Sequence, residues 1–182
     1  MRPDEPDGEE SNELDALPFA RGQDRDFEEL YAAHFHALTV QLYAYAGDMD
    51  QAREVVQEAF CRAYSRWKKI STYDDPLGWI RRVAWNLATS QWRRMRTAAR
   101  FAGRYREEYA SPPSPDRVAI MNALSTLPEN QRRVVVLHYM ADMAISDIAE
   151  QVNVSANTVK SWLHRGRAAL AAQLAERKVW NV

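Results

Sequence analysis

The sequence is poor in the residue types that most narrow a chain's chemistry. It holds a single cysteine, Cys61, which excludes a disulfide framework and any multi-cysteine metal site. Cys61 itself reads as a packed small hydrophobe rather than a redox sensor. Glycine is scarce, six in 182 residues, and no Gly-rich phosphate loop or nucleophile elbow is present. The four histidines, His34, His36, His138 and His164, show no ligand spacing with Cys61 or with paired carboxylates. No run of 18 apolar residues occurs, so no transmembrane helix is expected. The acidic N-terminus lacks the apolar stretch of a secretory signal. The expectation is a cytoplasmic chain that is not an enzyme, with no metal, no cofactor and no small-molecule substrate.

An excess of one charge is missing too. The chain carries 24 basic and 25 acidic residues, a net charge of −1. Taken whole, that suits a nucleic-acid binder poorly. The distribution reads differently. Residues 1–20 hold seven acids (Asp4, Glu5, Asp7, Glu9, Glu10, Glu13, Asp15) against Arg2 alone. That segment is −6, so the remainder is +5. Residues 79–106 hold eight arginines and no acid: Arg81, Arg82, Arg93, Arg94, Arg96, Arg100, Arg104 and Arg106. The acidic segment could solubilise the chain, or lie on the basic helices as an intramolecular brake.

What is present is helical periodicity. With 46% hydrophobic and 27% charged residues, the chain can bury a core. Residues 1–25 lack periodicity and read as a mobile acidic extension. From Asp26, the residues Phe27, Leu30, Tyr31, His34, Leu38, Leu42 and Tyr45 make one apolar stripe. Gly47 ends that helix and Asp48 caps the next. In the second helix, Ala52, Val55, Val56, Ala59, Phe60, Ala63 and Trp67 line one face. After a loop from Lys68 to Asp75, Pro76 opens a third helix at its first position. Its core face is Ile80, Val83, Ala84, Leu87 and Ala88. Its other faces carry Trp79, Arg82, Trp85, Asn86, Trp92, Arg93 and Arg96.

Residues 107–115, with three prolines in their last four positions, cannot continue a helix and read as a linker. Four short helical patterns follow. Asp116 is a candidate cap for the first, Pro128 opens the second, and the third spans about 146–152. The fourth runs from Ser155 to about Leu174, with Val159, Leu163, Ala169, Leu170 and Leu174 inward. The chain therefore reads as all-α. Two small helical domains, 26–106 and 116–176, are joined by the Pro-rich linker 107–115, with 177–182 as a tail.

Three constellations point to function. Ile145 to Lys160 reads as a helix-turn-helix, with Asn153 suited to a left-handed turn and Ser155 to a cap. The following helix presents Ser155, Asn157, Thr158, Lys160, Ser161, His164, Arg165 and Arg167, a pattern of donors then cations that suits a major groove. The third helix interleaves Trp79, Trp85 and Trp92 with Arg and Asn, which fits rings stacked on unpaired bases. Some of these tryptophans are expected to pack in the core instead. Lys69, Ser71 and Tyr73 precede this helix and could border a base pocket. Finally, Asp50, Glu54, Gln57 and Glu58 form a polar stripe on the second helix. Acids four apart repel modestly, and a basic partner would relieve them.

The run Asp50-Gln-Ala-Arg-Glu-Val-Val-Gln-Glu-Ala-Phe-Cys-Arg-Ala-Tyr, followed by Pro76-Leu-Gly-Trp-Ile-Arg-Arg-Val-Ala-Trp-Asn-Leu-Ala, resembles region 2 of an extracytoplasmic-function (ECF) sigma factor of the sigma-70 family. Leu124-Ser-Thr-Leu-Pro-Glu-Asn-Gln-Arg-Arg-Val through Leu170 resembles region 4. The Trp-rich helix is similar to that of actinobacterial members. The resemblance implies an RNA polymerase sigma factor that directs promoter recognition, melting and initiation as a monomer within the holoenzyme. It implies that Asp50, Glu54, Gln57 and Glu58 dock on the β′ clamp coiled coil of core polymerase. It implies that Lys69, Ile70, Ser71 and Tyr73 surround a flipped base of the −10 element. Trp79, Arg82, Asn86 and Arg93 would then lie along the strand or the upstream duplex. The last helix would read the −35 duplex, and region 4 would touch the β flap. An anti-sigma partner is implied by the family and by no residue here. Asn157 and Trp162 depart from the family's usual residues, so no −35 sequence preference follows. A stand-alone helix-turn-helix regulator is the alternative, against which the Trp–Arg helix speaks.

Overall fold

In the computed structural model, residues 18–101 and 115–179 are described, with side chains over 25–94 and 118–175. The predicted linker 107–115 lies almost wholly outside the described residues, and so do residues 1–17 of the acidic extension. Among the described residues there are eight helices and no strand. None is long and apolar enough to cross a membrane.

The first half is built from α1 (Pro18–Ala46), α2 (Met49–Tyr64), the short α3 (Trp67–Ile70) and α4 (Pro76–Phe101). Gly47 ends α1 at φ +81°, where a side chain would be strained, and its N–H donates to the Tyr43 carbonyl at 2.8 Å. Asp48 then caps α2, accepting from the Gln51 N–H at 2.8 Å. The α2 face buries Ala52, Val55, Val56, Ala59, Phe60 and Ala63, as the periodicity requires. Asp75 caps α4 by accepting from the Gly78 N–H at 2.8 Å, with Pro76 at the first helical position.

The second half is α5 (Pro115–Thr126), α6 (Glu129–Tyr139), α7 (Ile145–Val152) and α8 (Ala156–Val179). Between α7 and α8, Asn153 takes the left-handed conformation at φ 57°. The Ser155 hydroxyl oxygen accepts from the Thr158 N–H at 3.1 Å and caps α8. Ser155→Ala is expected to cost about 1 kcal/mol through loss of this cap. Faster amide exchange confined to the first turn of α8 would register it. Gly166, unmarked in the sequence reading, is buried where α8 crosses α6. A Cβ there would stand 2.8 Å from Val135 Cγ2. Gly166→Val is therefore expected to lower stability by about 2 kcal/mol through overpacking, read as a lower urea midpoint.

Several expectations are corrected. α1 starts at Pro18, not Asp26, so residues 18–25 are helical. The predicted loop after α2 contains α3, because burial of Trp67 and Ile70 fixes a helical turn there. α5 begins at Pro115, which puts Asp116 inside the helix rather than at its cap. Cys61 is exposed, not packed, since it shares the polar face of α2. Leu174 is exposed, because α8 meets α5 at this turn through the neighbouring Gln173, whose Nε2 donates to Thr126 Oγ1 at 2.6 Å. The two helical halves stand as expected, and they also touch each other. α1 packs against α5 and α6, and one apolar cluster runs from Leu38 through Trp85 to Leu163.

Candidate nucleic-acid interface

Asp50, Glu54, Gln57 and Glu58 all stand exposed on α2, opposite its buried face. Asp50 pairs with Arg53 Nη1 at 3.3 Å and Glu58 with Arg62 Nε at 2.7 Å. Both pairs are half or more exposed, so each is worth little and is easily exchanged for another partner. The stripe is thus an exposed polar face, with two of its three acids held by neighbouring arginines and Glu54 and Gln57 between them.

On α3 and the turn after it, Lys69 and Tyr73 are exposed and Ser71 is half-buried. Ile70 is corrected: it is 1% exposed and belongs to the core, since its apolar side chain closes under α3. On α4, Arg82, Asn86 and Arg93 are exposed, and Trp79 is half-buried beside them. The tryptophans divide. Trp85 is fully buried, its ring 5.0 Å from that of Tyr45. Trp92 is half-buried, 5.9 Å from the same tyrosine. Trp79 is half-buried and packs against the core on the same helix as the exposed Arg82 and Asn86.

On α8, Asn157, Lys160, His164, Arg165 and Arg167 are exposed, and Thr158 and Ser161 are half-buried. Ser155 and Thr158 also bond each other through their hydroxyls at 2.9 Å. A cleft of about 190 Å³ lies where α6 ends against α8. Lys160, His164 and Arg167 line it on the α8 side, and His138 and Tyr139 on the other. Its cationic wall suits the phosphates beside a groove.

The sequence reading missed the seam between the halves. Arg132 Nη1 donates to the Tyr45 carbonyl at 3.0 Å, and its guanidinium lies 5.4 Å from the Trp92 ring centre. Arg133 lies over Trp85 at 5.7 Å. The Tyr45 hydroxyl donates to Glu129 Oε1 at 3.1 Å, and Arg93 Nε approaches the same oxygen at 3.5 Å. Farther along, Arg82 Nη2 meets Glu150 Oε1 at 2.9 Å, and Gln41 Nε2 donates to the Met140 carbonyl at 3.3 Å. Burial first, then the Glu129 charge, pushes the Tyr45 phenol far above its ordinary pKa, so it stays a donor. Burial pulls the Arg133 guanidinium below its ordinary value. The only advance signal was the pair Arg132-Arg133 abutting the apolar run Val134–Leu137.

Comparison with known proteins decides the identity. Sigma-70 region 2 matches residues 30–98, and Sigma-70, region 4 matches residues 117–170. The chain is 32% identical over 161 residues to the RNA polymerase sigma-E factor of Streptomyces antibioticus, covering 87% of this chain and 89% of that protein. The chain belongs to the extracytoplasmic-function sigma factors of the sigma-70 family. It is 29% identical over 166 residues to the ECF RNA polymerase sigma factor SigW of Bacillus subtilis, covering 82% of this chain and 87% of the relative. Among solved structures, the sigma factor RpoE of Bartonella quintana, in complex with the anti-sigma factor NepR, shares the fold at a TM-score of 0.72. It is 22% identical, with 83% of this chain and 98% of that one covered. CnrH, solved with the cytosolic domain of CnrY, superposes at 0.63 with 25% identity, covering 86% of this chain and 92% of that one. This chain is accordingly an ECF-type RNA polymerase sigma factor, and α1–α4 and α5–α8 are its region 2 and region 4 halves. The match of α1–α4 to region 2 disfavours a stand-alone regulator.

Proposed function

We propose that this sigma factor binds core RNA polymerase through Asp50, Glu54, Gln57 and Glu58 on α2, with the β′ clamp coiled coil as the docking site. α4 and the turn before it then take the melted −10 strand. Lys69, Ser71 and Tyr73 border a flipped base, Trp79 stacks, and Arg82, Asn86 and Arg93 hold backbone or base edges. The exposed donors and cations of α8 enter the major groove of the −35 duplex, with the cleft by His138 and Tyr139 over an adjacent phosphate. Region 4 also touches the β flap. Residues 26–106 and 116–176 act as the two working units and 107–115 as the tether. The chemistry of initiation stays with the polymerase, the site of action is the cytoplasm, and an anti-sigma protein holds the factor in reserve.

The observation that carries this reading is the exposed acidic face of α2 on the same chain as two DNA-suited helices. A regulator acting alone has no use for that face. The test is reconstitution: the purified chain with core polymerase should give discrete transcription starts on genomic DNA. Tight duplex binding without core, and no starts with it, would instead support a free-standing helix-turn-helix regulator.

A further inference from the structure

The two ends of α1 meet different neighbours. Near its C-terminus, Gln41 and Tyr45 hydrogen-bond with Met140, Glu129 and Arg132 of region 4. Pro18, at the other end, lies about 35 Å from Gln41 along the helix. Toward that end, Phe27 packs on Tyr64 and Trp67, with ring centres 5.0 and 5.2 Å apart. The first turns of α1 therefore run out beside the end of α2 and beside α3.

The surface they meet is basic. Residues 62–73 carry Arg62, Arg66, Lys68 and Lys69 and no acid. All four are exposed. Arg62 is held by Glu58 at 2.7 Å, but among the described residues no carboxylate pairs with Arg66, Lys68 or Lys69. Glu29 of α1 is already taken by Arg25 at 3.1 Å, and Asp75 is committed as the cap of α4. Tyr64 and Tyr73 stand among these cations as exposed rings. Clustered like charges repel one another, and an anionic partner removes that cost. The arginines of α4 are less available, since Arg82 and Arg93 are paired with Glu150 and Glu129.

Residues 1–17 join α1 at this same end. They hold seven acids against Arg2 alone, with Leu14 and Leu17 as apolar positions. Fully extended, 17 residues reach up to about 60 Å, while Phe27 is only about 14 Å from Pro18 along the helix. Acids opposite cations, and leucines opposite exposed rings, make the segment and the patch complementary. The covalent link strengthens an otherwise weak contact, because a short tether gives an effective concentration of order 1 mM.

We propose that residues 1–17 dock on the patch of Arg66, Lys68 and Lys69 with Tyr64 and Tyr73, where their carboxylates stand in for the phosphates of a strand. The proposal rests on the reading of Lys69 and Tyr73 as the border of the −10 pocket, and it makes the segment a competitor of the strand there. The acidic extension is then a brake rather than only a solubilising extension, and it is seated on α3 rather than on α4 or α8.

The test uses the full chain without polymerase. Ser11→Cys carries a nitroxide spin label, with Cys61→Ser so that the label has one site. Docking should broaden the amide resonances of residues 62–73 and leave those of α8 sharp, and about 0.5 M salt should reverse it. Arg66→Gln/Lys68→Gln, at positions not assigned to the strand, should abolish the broadening. The substituted positions are exposed or lie within the segment, so the core is untouched. Strand affinity is measured with a fluorescent single-stranded oligonucleotide carrying the −10 sequence of a mapped promoter. Neutralising the seven acids, Asp→Asn and Glu→Gln, should tighten it about tenfold, as for a segment of about 0.1 mM intrinsic Kd tethered at about 1 mM. In the Arg66→Gln/Lys68→Gln background the same neutralisation should gain less than about twofold. A simple change of net charge would gain equally in both backgrounds, and that result, with no localised broadening, would overturn the docking. Broadening at residues 155–167 instead would seat the segment on α8 and overturn the assigned patch. Broadening confined to 62–73, with strand affinity unchanged on neutralisation, would uphold the docking and count against Lys69 and Tyr73 as the border of the strand.

Discussion

Charge reversal of the α2 stripe, Glu54→Arg with Glu58→Arg, is expected to cut affinity for core polymerase about 100-fold, roughly 2.7 kcal/mol. Both side chains are exposed and stand apart from the buried face of α2, so helix content and melting temperature should stay near wild type. Glu58 gives up an ion pair with Arg62, but pairs this exposed contribute only tenths of a kcal/mol. Competition of the variant with labelled wild type for core polymerase measures the effect. Its salt dependence should flatten as well, because the lost contact is ionic. An unchanged affinity would remove the stripe from the docking surface.

Trp85→Ala is expected to cost about 3–5 kcal/mol, a large part of the roughly 5–15 kcal/mol that holds a domain together. The indole is fully buried between Tyr45 and the Arg133 guanidinium, so truncation leaves a cavity in the seam and strips both neighbours of packing. Urea unfolding of the variant should show a midpoint well below wild type. Trp79→Ala should do the reverse, with stability near wild type and a marked loss of open complex. If Trp85 stacked on a base, its removal would spare stability and lower promoter opening, which the burial contradicts.

The difference between these two tryptophans shows what was readable in the sequence and why. Local rules placed the caps at Asp48 and Ser155, the turn at Asn153 and the buried face of α2, because each depends on residues within one or two turns. The acidic stripe was readable as the complement of that face. Trp85 was not, because periodicity reports that a residue is apolar and leaves open which element will cover it. Its cover comes from α6, more than forty residues on. Arg132 and Arg133 were opaque for the same reason. An arginine reads as solvated, yet a guanidinium over an aromatic ring can be buried. Ile70 was misplaced because α3 is a helix fixed by burial rather than by propensity. Trp85, Arg132 and Arg133 meet across contacts distant in sequence, and together they hid the seam that joins the two halves.

The net charge is uninformative as a total because charge is divided along the chain. The acids of α2 face outward, the exposed cations lie on α4 and α8, and Arg82 and Arg93 of α4 are paired with carboxylates of region 4.

If this chain lets polymerase open promoter DNA, permanganate should find reactive, unpaired thymines in the −10 element upstream of a mapped start only when chain and core polymerase are both present, and not with Glu54→Arg/Glu58→Arg. Thymines that stay unreactive in the complete mixture, at a promoter the chain demonstrably occupies, would contradict it.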